Sequence, residues 1–452
     1  GTLSASDSTT ITGVGTSFTT ELNVGDYIIG YDPVYPTAVA RVTVVNSNTQ
    51  ITVNRKVTLS SAVCLQYVNT SLHMGCWKIT SIDTIAQTIT VRNTTRNTTP
   101  PPKFGISKGI IHFLPSTILF TSGDMIQARE NEFIGLQNLT ARYTGASPTG
   151  ITRGLYMDGA DATLNFVGFS GCALFAEQGS NIWGSTFVVS GIQRSSFNGI
   201  TLAGNCSLTA TALISTGHAG SGLYSTFSDT YVTEAMVMSG NAQTGAHFGL
   251  CSAGYSASGS HASGNGGPGV VTTQDSFFSS INFAAVNNDR HLTLLESSTQ
   301  SILGNTLLLG SKTHAIDAAI NCTVRLRNTM IADAVSNAVW LNHSRLYSQG
   351  LMFLDMDVSA IYGYGMSSSF IDDDGVAARF ANAAINMQHM SYAFAKNMTF
   401  RRSGTTAHDA YTHGASNIYL SACSGSGAGN ALITSPVLNG APANRNSSVY
   451  SS

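Results

Sequence analysis

The segment LMFLDMDVS, residues 351–359, sets two aspartates two positions apart inside an apolar run. If Met352, Leu354, Met356 and Val358 alternate inward along a strand, Asp355 and Asp357 share its outer side, about 6.5–7 Å apart. Outward is the side expected of them, because an unpaired carboxylate is costly to bury. Hydrolysis of a glycosidic bond uses such a pair, with carboxyl groups about 5–5.5 Å apart for retention or about 6.5–9.5 Å apart for inversion. Asp333 precedes the pair at nearly the same phase of the pattern described below, and Asp372, Asp373 and Asp374 follow in FIDDDG. Only 10% of the chain is charged, so this is its one acidic concentration. Three chemistries fit it: plain solvation of a strand, binding or cleavage of a sugar, and oxygen coordination of a cation such as calcium.

A second group is Tyr224, Asp229, Tyr231 and Glu234, with Trp183 some two repeats earlier. Aromatic rings stack on sugar faces and acids accept hydroxyl hydrogen bonds, although tyrosine is also an ordinary strand residue. His247, His261, His291 and His314 come about once per repeat, beside Arg290, but at differing phases, so they form no single column. The seven cysteines are scattered without a C-x-x-C pair and fit small buried apolar residues better than a disulfide or metal framework. No nucleophile elbow, zinc-protease helix or phosphate loop occurs. Neither a cofactor nor a metal is expected.

The elements that must position these residues are repetitive. Ser190, Ser215, Ser239, Ser263, Asn287, Ser311, Ser336, Ser359 and Asn382 each follow a short apolar run, at steps of 25, 24, 24, 24, 24, 25, 23 and 23 residues. A glycine before an apolar pair keeps the same beat at Gly199, Gly222, Gly245 and Gly269. Such a period marks a stacked-repeat architecture. Each period holds short alternating runs cut by Gly, Ser and Asn, with no long stretch of helical periodicity, so the unit is strands. About 24 residues, as three strands and three turns, make one coil of a parallel β-helix. The fold class is therefore all-β, with the helix over 136–430 and Ser and Asn stacked near one corner. Charge is low and the net value is −2, which argues against a nucleic-acid surface, and no apolar run is long enough to insert in a membrane as a helix.

Residues 1–91 differ. TTITGVGTSFTTELNVGDYIIG has the strands and turn of a small β-barrel, and RVTVVNSNTQITV is echoed by KITSIDTIAQTITV. These predict β-modules with hairpin turns near Asn46-Ser47-Asn48 and Asp83-Thr84. Residues 92–105 carry three prolines and are expected to be a linker. Residues 106–135 form an entry or capping segment, and 431–452 a C-terminal tail.

Small N-terminal β-modules followed by a 24-residue β repeat resemble the tailspike and tail-fibre proteins of bacteriophages. The resemblance implies a right-handed parallel β-helix, usually in a homotrimer, displayed on the virion outside the cell. It implies attachment to other virion proteins, of tail or capsid, through the N-terminal modules, and recognition of a host surface polysaccharide. The alternative it carries is a depolymerase, a hydrolase or lyase acting on capsule or O-antigen. On that alternative Asp333, Asp355 and Asp357 would be catalytic, with Trp183, Tyr224, Asp229, Tyr231 and Glu234 binding substrate.

Overall fold

A computed structural model describes residues 2–32, 35–67, 77–83, 88–93, 116–121, 123–145, 152–191, 198–257, 259–302, 306–366, 368–402, 408–414, 416–427 and 448–451. The chain divides into two compact units, residues 1–93 with 97–111, and residues 94–96 with 112–452.

In the first unit the long strand Gln50–Tyr67 pairs antiparallel with Thr2–Val14, Tyr27–Asp32 and Tyr35–Ser47, giving a four-stranded sheet. Ile11, Phe18, Ile28, Val42, Ile51 and Val53 are among the residues of its core. The first predicted hairpin forms, its turn at Asn48-Thr49 between Ser47 and Gln50. Trp77–Asp83 and Thr88–Asn93 make the second, and the Thr84 part of its turn lies outside the described residues. What the pairing defines is this sheet and this hairpin. Most of the expected linker and tail also lies outside the described residues.

The second unit is a parallel β-solenoid of about 12 turns between residues 117 and 421. Its strands form three sheets of 13, 15 and 7 strands, called the first, second and third faces below. Ser207, Asp229, Ala253, Phe277, Thr299, Thr323, Arg345, Ser369 and Tyr392 stand in register on successive coils of the second face. Those steps run from 22 to 24 residues, so the repeat inferred from the marker spacing is the coil. Strands Ser116–Phe120 and Asp124–Arg129 already pair in parallel with the following coil.

The Ser and Asn markers hold their register only in part. Ser190, Thr216 and Ser239 share one column, to which Ser263 belongs through the bridge of Val237 with His261. Ser215 is one place early. From the next coil the column continues as Val286, Leu309, Ala332 and Leu354, so Asn287, Ser311, Ser336 and Ser359 fall progressively later. A continuous column of serines with two cysteines lies at another corner: Ser180, Cys206, Ser228, Ser252, Ser276, Ser298, Cys322, Ser344, Ser368, Ser391 and Ser416, all buried. At five of its steps the backbone N–H donates to the hydroxyl of the coil above, at 3.1–3.2 Å. Cys206 and Cys322 take serine positions, which accounts for two of the three cysteines that are buried among the described residues.

The glycine marker has a packing reason. Asn241, Asn265 and Asn288 form a buried amide ladder, each Nδ2 donating to the next Oδ1 at 3.1 and 3.0 Å. A Cβ at Gly222, Gly245 or Gly269 would press on a backbone carbonyl oxygen of the next coil and sit 2.7, 2.8 or 2.9 Å from the Nδ2 atom of one of these amides. In later coils, past that ladder, the same column is Ala315, Ala338 and Ala360.

Candidate functional site

The expected outward pair Asp355 and Asp357 does not form. Alternation along 352–358 fails because Asp355 has a left-handed backbone, with φ of 61°. The core instead takes Phe353 and Met356, three residues apart. Asp355 is buried, and both its oxygens accept from Arg379, Nε to Oδ1 and Nη2 to Oδ2, each at 2.6 Å. Asp357 alone is exposed. Asp333, one coil earlier, is also buried and left-handed, with φ of 58°. Asp333, Asp355 and Arg379 therefore continue a left-handed corner column whose earlier members are Gly240, Gly264, Asn287 and Gly310. The three expected catalytic carboxylates are divided between this corner and the open surface.

The FIDDDG acids separate as well. Asp372 is buried on the second face, where Ser348 Oγ donates to its Oδ1 at 2.7 Å and Oδ2 has no partner. Burial pushes its carboxyl up to about 7. Asp373 and Asp374 both accept from Asn397 Nδ2, at 3.2 and 3.1 Å. Among the described residues no group of three His, Cys, Asp or Glu is arranged to hold a metal ion.

The aromatic group is assembled more nearly as expected. Trp183, Thr209, Tyr231, Tyr255 and Ser279 occupy one outward row on successive coils of the second face. Their three aromatic rings are 42%, 45% and 41% exposed. Tyr231 and Tyr255 stand 6.3 Å apart between ring centroids, and Phe277 lies 5.3 Å beyond Tyr255. Asp229 and Glu234 are exposed on the Tyr231 strand, Asp229–Ser239. Asp229 also borders a corner cavity of about 300 Å³, lined by Asn205, Ser207, Phe227 and Cys251 among others. Tyr224 is not part of this surface: it sits on the first face, edge-on to His247 at 5.0 Å. Sequence reasoning missed Tyr255, whose signal was its spacing of one coil from Tyr231. It also missed Tyr392 and Tyr419, a second outward pair on the same face at 5.5 Å.

The histidines scatter, as their phases implied. His291 lies in the interior, where burial pushes its imidazole down to about 3, and His218, not singled out from the sequence, is likewise pushed down to about 4. His261 is buried enough for its imidazole to be lowered. His314 lies in the turn before strand Ile316–Ala319 of the first face, its ring stacked nearly parallel to that of Trp340 with centroids 5.7 Å apart. Near it Arg290 Nη1 pairs with Asp317 Oδ2 at 3.2 Å. Burial raises the Asp317 carboxyl against the opposing pull of Arg290.

The fold defines an all-β protein built on a parallel β-solenoid. No family model, no curated protein and no solved structure matches the chain.

Proposed function

We propose that the chain is a tailspike- or tail-fibre-like virion protein of a bacteriophage that holds a host surface polysaccharide against the second face of its solenoid. The observation that carries this is the outward row of Trp183, Tyr231 and Tyr255, with Asp229 and Glu234 beside it. A parallel β-helix is an architecture typical of tailspikes and of polysaccharide-degrading proteins. Coils about 4.8 Å apart place rings along the solenoid axis, so an extended chain of sugars meets several of them in succession. Exposed rings gain by covering an apolar sugar face, and the flanking acids accept its hydroxyls. Right-handed winding, a homotrimeric state, attachment through the N-terminal unit and an extracellular position on the particle complete this reading. Attachment is preferred to cleavage because Asp355 is engaged by Arg379 and separated from Asp357.

Calorimetric titration of the protein with purified capsule or O-antigen tests the proposal. Tyr231→Ala and Tyr255→Ala are each expected to weaken binding about tenfold, the effect of roughly 1.4 kcal/mol. Folding should be unchanged, since both rings are surface residues. Binding indifferent to both substitutions would refute the assignment. Reducing ends or unsaturated uronates released from the same polysaccharide would reveal cleavage.

A further inference from the structure

Val271, Thr293, Asp317 and Trp340 stand in register on successive strands of the first face. They alternate with the core residues Leu292, Leu294, Ile316, Ala318, Val339 and Leu341, so their side chains leave the core on the outer side. Asp317 is nevertheless only 5% exposed. Its Oδ2 is held by Arg290, but Oδ1 has no hydrogen-bond partner, and neither has Arg290 Nε or His314 Nδ1. A buried acceptor and a buried donor left unmade are each costly, unless something else completes them. Arg290 is 35% exposed in its side chain, so the pair borders solvent on the arginine side.

We propose that Asp317, Arg290, His314 and Trp340 form a monosaccharide subsite for a sugar bearing two adjacent hydroxyls. One hydroxyl donates to Asp317 Oδ1, and its neighbour accepts from Arg290 Nε. The apolar side of the sugar ring packs on the indole of Trp340, which His314 supports from one side. A hydroxyl both donates and accepts, so one diol supplies what the acid and the guanidinium each lack. This inference rests on the glycan-binding reading, but it uses a different sheet from the Trp183–Tyr231–Tyr255 row.

The chain has three tryptophans, so Trp77→Phe with Trp183→Phe leaves Trp340 as the sole indole reporter. The probes are glucose, galactose, mannose, rhamnose and N-acetylglucosamine at millimolar concentration. At least one should shift Trp340 emission saturably, and Asp317→Asn, which keeps the volume and removes the charge, should weaken that response about tenfold or more. Tyr231→Ala should leave it unchanged. Circular dichroism of each variant confirms that the fold is retained, and Arg290→Met, altering the other partner, should weaken the response likewise. Silence of Trp340 across the panel, or a response indifferent to Asp317→Asn, overturns the subsite. If polysaccharide binding depends on Tyr231 while Trp340 stays silent, the subsite fails and the second-face reading stands. If sugars move Trp340 while Tyr231→Ala has no effect on polysaccharide binding, the subsite stands and the second-face assignment falls.

Discussion

Removing Arg379 should destabilise the corner at Asp355 more than removing both residues together. The Asp355 side chain is 7% exposed and that of Arg379 28%. Breaking a buried ion pair by deleting one member costs about 3–5 kcal/mol, and the partial exposure of Arg379 places this case at the low end, near 3. Both residues hold left-handed backbones, with φ of 61° and 56°, where glycine is free of the Cβ penalty. Arg379→Gly therefore recovers about 1 kcal/mol of backbone strain and should cost roughly 2 in sum. Asp355→Gly/Arg379→Gly removes the carboxylate as well and restores the residue type found at Gly240 and Gly264 in the same column. Replacing a whole buried pair is often close to neutral, so the double variant should lie within about 1 kcal/mol of the parent. Solenoids do not always unfold in one step. The assay is accordingly amide hydrogen exchange across strands Met352–Met356 and Val376–Phe380, which reads local opening free energies. A single Arg379→Gly substitution no more disruptive than the double would refute the reasoning.

Other outcomes follow from the interior. Gly245→Ala should lower the urea midpoint by the equivalent of about 1–3 kcal/mol, because its Cβ would press most closely on the Gly269 carbonyl oxygen and sit 2.8 Å from Asn265 Nδ2, and neither the backbone of the next coil nor the buried amide can give way cheaply. Acid should destabilise the solenoid through His218 and His291: the unfolded chain takes up protons near the ordinary value of 6.5, whereas the folded imidazoles resist until about 4 and about 3. Stability supplied by these neutral histidines is thus complete above 6.5 and is lost as pH falls through that window, which a series of melts at stepped pH would register. Asp372 works in the opposite sense, its folded carboxyl keeping a proton up to about 7 while the unfolded one releases it near 3.8. Its contribution is present below 3.8 and is lost as pH rises toward 7, so Asp372→Asn should raise the melting temperature above neutrality and leave it nearly unchanged in acid.

The repeat was legible because every coil must return to the same register, and a return of about 24 residues survives changes of side chain. The finer alignment was less legible. The hydroxyl column from Ser180 to Ser416 was hidden by Cys206 and Cys322, where a thiol fills a hydroxyl's place, and by steps that vary with turn length. Among the aromatic residues, Tyr231 and Tyr255 were separable as a row once a period was known. Tyr224 was not separable from Tyr231 by distance along the chain, because a turn between them carries the backbone from the first face to the second.

Asp355 was misplaced for a more specific reason. Alternation assigns faces only while each residue keeps extended dihedrals, and one left-handed residue exchanges inside for outside beyond it. The signal for such a residue lay in other coils rather than in LMFLDMDVS itself. Gly240, Gly264 and Gly310 occupy that column with positive φ, and Asn287 and Asp333 are the side chains that tolerate it best. Arginine has no such tolerance, yet Arg379 follows Asp355 there. Its strain is offset by two hydrogen bonds to the carboxylate one coil below. The acids that suggested chemistry thus belong first to a corner that exchanges glycine's freedom for an ion pair. The residues left to meet a ligand are those whose exposure or unmade hydrogen bonds the solenoid itself does not require.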